Sequence, residues 1–254
     1  MAPRNQPVLL EGENLHDLQL HDLWLIQKDK GFRFGMDAVL LSDFCRTGEK
    51  DIVADFGTGT GILTVLLLGK NKAARIEAFE ILPEMAEMAE RSLRMNGQET
   101  RARVWSTDCG NAAEVLEINS LDAIVTNPPY GEKGRTLINP SPEKAVARHQ
   151  EEDTLDKFFK AAYQCLKGKG KIFLIYPVQG MLSIMEVLKR HHLEPKRFRL
   201  IYPYADKPAN LVLIEAAKDA KPGLLSMPPL VVYLQPGEYT DEVAEIYGLK
   251  SKND

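Results

Sequence analysis

Ile52-Val53-Ala54-Asp55-Phe56-Gly57-Thr58-Gly59-Thr60-Gly61, leading into the apolar run from Ile62 and Leu63 to Leu68, decides the fold. Ile52 to Ala54 reads as a short buried strand and the run after Gly61 as a helix. Glycines at alternate positions permit a tight strand-to-helix turn and let a ligand approach the backbone without Cβ interference. They also leave N–H groups exposed at a helix N-terminus. The G-x-G-x-G spacing, with Asp55 two residues before the first glycine, differs from the G-x-G-x-x-G fingerprint of nicotinamide enzymes. A glycine loop alone is weak evidence, so its value depends on the strand ends further along the chain.

Downstream the chain alternates strands with helices, which predicts a parallel sheet covered on both faces. The second strand, Arg75 to Phe79, ends in Glu80, a carboxylate placed to accept both hydroxyls of a ribose. A helix from Pro83 to Met95 comes next, stopped by Asn96-Gly97; its Met85, Met88 and Met95 read as core packing. The third strand, Ala102 to Trp105, precedes Asp108, which can accept from an adenine amine or cap the next short helix. Leu121 to Thr126 is another buried strand and runs into Asn127-Pro128-Pro129-Tyr130. Two prolines stiffen the exit from this strand at the edge where open α/β sheets bind ligands. The Asn127 side-chain oxygen and the Pro128 carbonyl can accept hydrogen bonds from a planar NH2 group, and the Tyr130 ring offers it a stacking face. A plain strand-ending turn is the competing reading.

Gly131 to Pro142 reads as a polar loop that could close over a substrate, ahead of a helix from Leu155 to Leu166 and a strand from Lys171 to Tyr176. His149 lacks an evident catalytic partner and reads as a surface or capping histidine. A helix from Met181 to Arg190 ends in Lys189-Arg190, and Lys196, Arg197 and Arg199 lie just beyond it. This local basic patch is a candidate phosphate contact, although cations at a helix C-terminus are favoured by its dipole alone. Arg199 to Tyr202 and Leu211 to Glu215 suggest an antiparallel hairpin at one sheet edge.

Upstream, residues to about Gly12 read as a loose arm, and Leu18 to Ile26 as a hairpin or small sheet. Asp37 is placed to cap a helix carrying Ala38 to Leu41. Three divisions result: 1–47, a hairpin and helix packing on the core; 48–218, the main α/β domain; and 219–254, a C-terminal extension with a short strand at Leu230 to Leu234. The chain of 254 residues carries a formal charge of −4, which excludes a globally basic nucleic-acid binder but not a local basic face. Three scattered cysteines without C-x-x-C spacing argue against disulfides and zinc, and no metal is expected. No signal-like or membrane-length apolar segment is present, and a cytoplasmic protein, monomeric by preference, is expected.

Glycine loop, Glu80, Asp108 and the Asn127 to Tyr130 motif fall at successive strand ends, and together they resemble the class I S-adenosylmethionine-dependent methyltransferases with an Asn-Pro-Pro-Tyr motif. The resemblance covers about Phe32 to Lys218. Within that group, Gly31-Phe32-Arg33-Phe34-Gly35-Met36-Asp37-Ala38-Val39-Leu40-Leu41, Ala147-Arg148-His149 and the segment Lys207 to Glu215 are similar to the bacterial valine-tRNA adenine-37 N6-methyltransferases. The resemblance implies a Rossmann-like seven-stranded, mostly parallel sheet with the last strand antiparallel and helices on both faces. It implies S-adenosylmethionine at Phe34, Asp37, Asp55, Gly57, Thr58, Gly59, Gly61, Glu80, Asp108 and Asn127, with Phe34 and Asp37 over the methionine end. Catalysis would fall to Asn127, Pro128, Pro129 and Tyr130. The RNA partner, a tRNA, would meet Arg148, Lys189, Arg190, Lys196, Arg197 and Arg199. Gln150 stands where an acidic residue is expected, and the tail beyond Lys218 is atypical. Rival expectations are N5-methylation of a protein glutamine, N2-methylation of a ribosomal guanine, and a non-catalytic nucleotide- or RNA-binding module.

Overall fold

The structure is a computed structural model that describes residues 3–29, 35–128 and 142–249, the side chains of 142–152 excepted. An antiparallel hairpin, β1 (Glu13–Asp17) and β2 (Trp24–Lys28), precedes helix α1 (Met36–Phe44). The alternating region is β3 (Ile52–Phe56), α2 (Ile62–Gly69), β4 (Arg75–Glu80), α3 (Pro83–Met95), β5 (Ala102–Ser106), α4 (Ala112–Val115) and β6 (Leu121–Thr126). It continues with α5 (Pro142–Cys165), β7 (Leu166–Pro177), α6 (Met181–Arg190), β8 (Leu193–Tyr202) and β9 (Leu211–Lys218). The tail adds β10 (Leu225–Ser226), β11 (Leu230–Val231), β12 (Tyr233–Gln235), β13 (Glu238–Tyr239) and α7 (Asp241–Ile246).

The main sheet runs β10-β8-β9-β7-β6-β3-β4-β5, with β11 also on β8. Neighbours from β5 to β7 are parallel, and β9 is antiparallel to both β7 and β8. The expected Rossmann-like methyltransferase sheet of seven strands is therefore present as β3 to β9. Two short strands of the tail enlarge it to nine by pairing with β8. The antiparallel hairpin expected at one edge is β8 and β9, which end the seven strands with β9 on the inner side, and β10 and β11 cover the outer side of β8. This cover removes an exposed row of backbone donors and acceptors.

Strands buried on both faces need apolar residues at every position, and β7 shows why. Phe173 and Ile175 pack on one side with Leu40, Leu66 and Leu25 of the hairpin. Ile172 and Leu174 pack on the other with Phe56, Phe159 and Leu188. Leu230, Val232 and Val243 of the tail enter the first of these clusters, so hairpin and tail share a core with the sheet.

Two local expectations are corrected. The N-terminal arm is docked on α3: Asn5 donates to the Arg94 carbonyl at 2.6 Å, and Arg91 donates to the Val8 carbonyl at 2.7 Å. Helix α5 begins at Pro142 and not near Leu155, so its first thirteen residues replace a stretch read as the approach to a helix. Proline is favoured in a first turn, and Glu, Lys and Ala are strong helix formers even where apolar periodicity is weak. No helix among the described residues is long and apolar enough to cross a membrane.

Candidate active site

Parallel register brings the functional strand ends level. Phe56 is paired with Phe79 on one side and with Thr126 on the other, and Glu80 with Ser106. Gly57, Glu80 and Asn127 therefore leave the sheet as neighbours at its carboxyl edge. The Thr126 hydroxyl ties β6 to β3 there by donating to the Phe56 carbonyl at 2.8 Å.

The glycine loop is held mainly by backbone bonds. Gly57 and Thr58 donate to the Phe79 carbonyl at 3.0 and 2.8 Å, and Gly61 donates to the Thr58 carbonyl at 2.9 Å. Glu80 Oε2 accepts from Gly59 N at 2.9 Å while its Oε1 accepts from Leu82 N at 2.9 Å, so one carboxylate braces both the loop and the start of α3. Gly57 and Gly59 have φ of +77° and +57°, and a Cβ at either would meet nothing within 4 Å. Their glycine requirement is conformational, and the space above them is open. At Gly61 a Cβ would instead come within 3.2 Å of the Ala89 Cβ, because loop and α3 pack closely there.

Beneath the loop, Asp55 is fully buried. Its Oδ2 accepts from the Thr58 hydroxyl at 2.6 Å, the Thr64 hydroxyl at 2.8 Å and Thr64 N at 3.2 Å, while Oδ1 has no partner among the described residues. Burial pushes its carboxyl up to about 6; the threonine bonds oppose this, and the Glu80 charge adds to it.

A cavity of about 90 Å³ lies over the loop, bounded by Gly57 to Thr60 on one side and Asn127 on the other, with Gln27, Ala38 and Met85 among its walls. Beyond Glu80, Ile81 and Leu82 are 62% and 52% exposed, an apolar ledge beside an acidic strand end. Gln27, Ala38, Met85, Ile81 and Leu82 were not among the residues expected here. Met85 is half-buried in the cavity wall, whereas Met88 and Met95 are buried in the core as expected. Two signals were available in the sequence: a glutamine at a buried strand position, and an apolar pair immediately after a strand-end acid. A larger groove of about 920 Å³ between the arm, β2 and α3 contains none of the strand-end residues. Glu11, Asp29, Glu84 and Glu87 make it predominantly acidic, which disfavours a phosphate-bearing ligand.

The other expected site residues divide clearly. Pro128 is buried next to Asn127; Phe34, Pro129 and Tyr130 lie outside the described residues. Asp108 caps a short 3-10 turn, its Oδ1 accepting from Gly110 N at 2.8 Å, which is the capping alternative. Asp37 sits in the first turn of α1 with Gly35 in the capping position, so the capping role read for Asp37 is not what the structure shows. Burial raises the Asp37 carboxyl above its usual range. Arg148 belongs to α5, on the half that precedes the sheet contacts.

Topology and burial divide the residues of the basic patch. Helix α6 runs back from the carboxyl edge, so Lys189 and Arg190 in its last turn sit at the opposite edge, with Arg190 paired to Asp156 at 3.0 Å. Arg197 is 5% exposed; it bonds Glu215, donates to the Phe44 carbonyl at 2.7 Å and lies over the Phe44 ring. Arg199 pairs with Glu242 at 2.6 Å and donates to the Pro228 carbonyl, while Lys196 donates to the Lys221 carbonyl. Arg197 also donates to Met227 Sδ at 3.1 Å, so all three cations reach the tail; Arg197 is buried in its ion pair, whereas Lys196 and Arg199 are only half-buried.

Comparison with known proteins points the same way as the geometry. A family model described as the methyltransferase small domain matches residues 33–194. A protein of Parabacteroides distasonis named tRNA1(Val) (adenine(37)-N6)-methyltransferase is 28% identical over 192 residues, 75% of this chain and 79% of its own length. One of the same name from Shewanella baltica is 25% identical over 218 residues, 85% of this chain and 90% of its own. Among solved structures, a predicted O-methyltransferase from Agrobacterium tumefaciens superposes with TM-score 0.67 at 21% identity, covering 86% of this chain and all of its own. M. jannaschii TYW2 in complex with AdoMet superposes with TM-score 0.57 at 14% identity, covering 83% of this chain and 87% of its own.

Proposed function

The chain belongs to the methyltransferase small domain family, and from that premise we propose that it is an S-adenosylmethionine-dependent tRNA methyltransferase. Its acceptor is the exocyclic N6 of adenine 37 in the anticodon loop of valine tRNA, the activity named in its relatives from Parabacteroides distasonis and Shewanella baltica. With that reaction and substrate it works in the cytoplasm. One observation carries the reading: the glycine loop and Asn127 wall the same cavity, so a donor on the loop and a nitrogen at the amide meet there.

The residues present fit the cofactor. Open space over Gly57 and Gly59 admits a ligand against the backbone, Glu80 offers carboxylate oxygens to ribose hydroxyls, and the Ile81-Leu82 ledge offers apolar contact to a flat base. Bound there, S-adenosylmethionine supplies a sulfonium methyl that is already electrophilic.

The chain's own contribution is to the acceptor. An aromatic amine is a poor nucleophile because its lone pair is shared with the ring. Hydrogen bonds from both N–H groups to Asn127 Oδ1 and the Pro128 carbonyl draw the nitrogen toward tetrahedral geometry and stabilise the positive charge that develops on it. Holding the nitrogen in line with the methyl provides much of the remaining rate. Tyr130, by its place in the motif, stacks on the base, which must be unpaired and turned out of the loop to reach the site.

The RNA face belongs to the same edge. Helix α5 has 24 residues, about 36 Å, against some 20 Å for a six-residue strand. Its C-terminus joins the start of β7 at the far edge, so the half bearing Arg148 projects past the site. Lys207, on the connection from β8 to β9, is exposed at this edge as well.

The test is incubation of tRNA lacking the modification with methyl-labelled cofactor, followed by digestion to nucleosides. Label in N6-methyladenosine supports the proposal; label only in guanosine, or none in the RNA, refutes it.

A further inference from the structure

Gln27 lies on β2, a strand of the N-terminal hairpin outside the alternating sheet, yet it forms part of the cavity wall with the glycine loop and Asn127. It is 2% exposed, and its carboxamide oxygen has no hydrogen-bond partner among the described residues. Its neighbours on the strand are accounted for. Leu25 packs in the main core, Ile26 packs against Met88 and Met95, and Ile26 N donates to the Ser92 hydroxyl. Period two puts Gln27 on the same face as Leu25, an apolar position for which a leucine or methionine would be the ordinary choice.

A buried acceptor without a donor is costly, so this one calls for an explanation, and a donor on a ligand in the cavity that it lines supplies one. We propose that Gln27 is a cofactor-positioning residue: its carboxamide oxygen accepts a hydrogen bond from the α-ammonium of the methionine end of S-adenosylmethionine. Three observations select this end. The oxygen is an acceptor and needs a cationic or neutral donor. Gln27 shares its wall with Ala38 at the start of α1 and with Gly57 to Thr60. The acid and apolar ledge suited to ribose and base, Glu80 to Leu82, are not among the cavity's lining residues. The hairpin then holds one end of the donor and sets the direction of its methyl toward Asn127.

This inference rests on the methyltransferase reading, and the experiment separates the two. Binding of S-adenosylhomocysteine and of 5′-methylthioadenosine, which lacks the amino-acid end, is measured by titration calorimetry on the wild type, Gln27→Met and Gln27→Glu. Loss of one charge-assisted bond predicts S-adenosylhomocysteine binding about tenfold or more weaker in Gln27→Met, with 5′-methylthioadenosine unchanged. Gln27→Glu, which keeps an acceptor, is expected to bind S-adenosylhomocysteine within about threefold of wild type. Because Gln27→Met removes an unpaired buried polar atom, its ligand-free form should melt at or above the wild-type temperature. A lower melting temperature, equal loss for both ligands, or no loss overturns the assignment. A wild type that binds neither ligand refutes the methyltransferase reading itself.

Discussion

Asn127 illustrates how one side chain acquires a role from the strand that presents it. β6 ends one residue earlier, at Thr126, whose hydroxyl anchors it to β3, and a buried proline comes directly after. Replacing Asn127 by Ala removes one acceptor from the amine and leaves the loop and Glu80 untouched. We predict a loss in kcat of about a hundredfold or more with cofactor affinity within about threefold of wild type, read by single-turnover methylation and cofactor titration. Asp55 yields a different kind of prediction. Its folded-state carboxyl is raised to about 6 from 3.8, so between those values the folded chain holds a proton that the unfolded chain has released. Stability from this group is complete below about pH 4 and is lost as pH rises through about 6, by about 3 kcal/mol. Urea unfolding across this range should show that decline in the wild type and a flatter profile in Asp55→Asn.

At the scale of elements, the tail and the basic segment of β8 form one structure. Arg197 on β8 is bonded to Glu215 on β9 and to the carbonyl of Phe44 at the end of α1. Arg197→Met leaves Glu215, with Lys171 at 3.1 Å as its remaining cation, in a buried site. The expected cost is about 3–5 kcal/mol in urea unfolding, with no change in the salt dependence of tRNA binding. The opposite result, weaker RNA binding at unchanged stability, would return Arg197 to the RNA footprint.

For the molecule as a whole, the carboxyl edge is the working surface. Charge reversal at Lys207 should reduce the slope of log affinity for tRNA against log salt by about one, whereas Lys189→Glu at the opposite edge should leave it unchanged. The tail flanks this surface, with β11 paired to Ile201 and Tyr202 at the end of β8. Deleting residues 219–254 removes Leu230, Val232 and Val243 from the main core and uncovers the edge of β8. A fall in melting temperature on the order of 10 °C is expected by scanning calorimetry, with a tendency to aggregate.

The sequence by itself determined the alternating strands and helices, the glycine loop with its acids at successive strand ends, and the motif that begins at Asn127. These are local signals: a strand buried on both faces, a turn that only glycine satisfies and a proline stop are each written in a few adjacent residues. Tertiary structure alone decided which of the charged residues face outward. Lys189 to Arg199 is basic along the chain, but the direction of α6 carries its first part to the edge opposite the glycine loop, and the tail engages Lys196, Arg197 and Arg199. It also decided that Gln27, about thirty positions before the glycine loop and on a separate hairpin, closes the cavity over that loop. Charge and polarity are properties of a residue; access and partnership depend on what the rest of the chain brings against it.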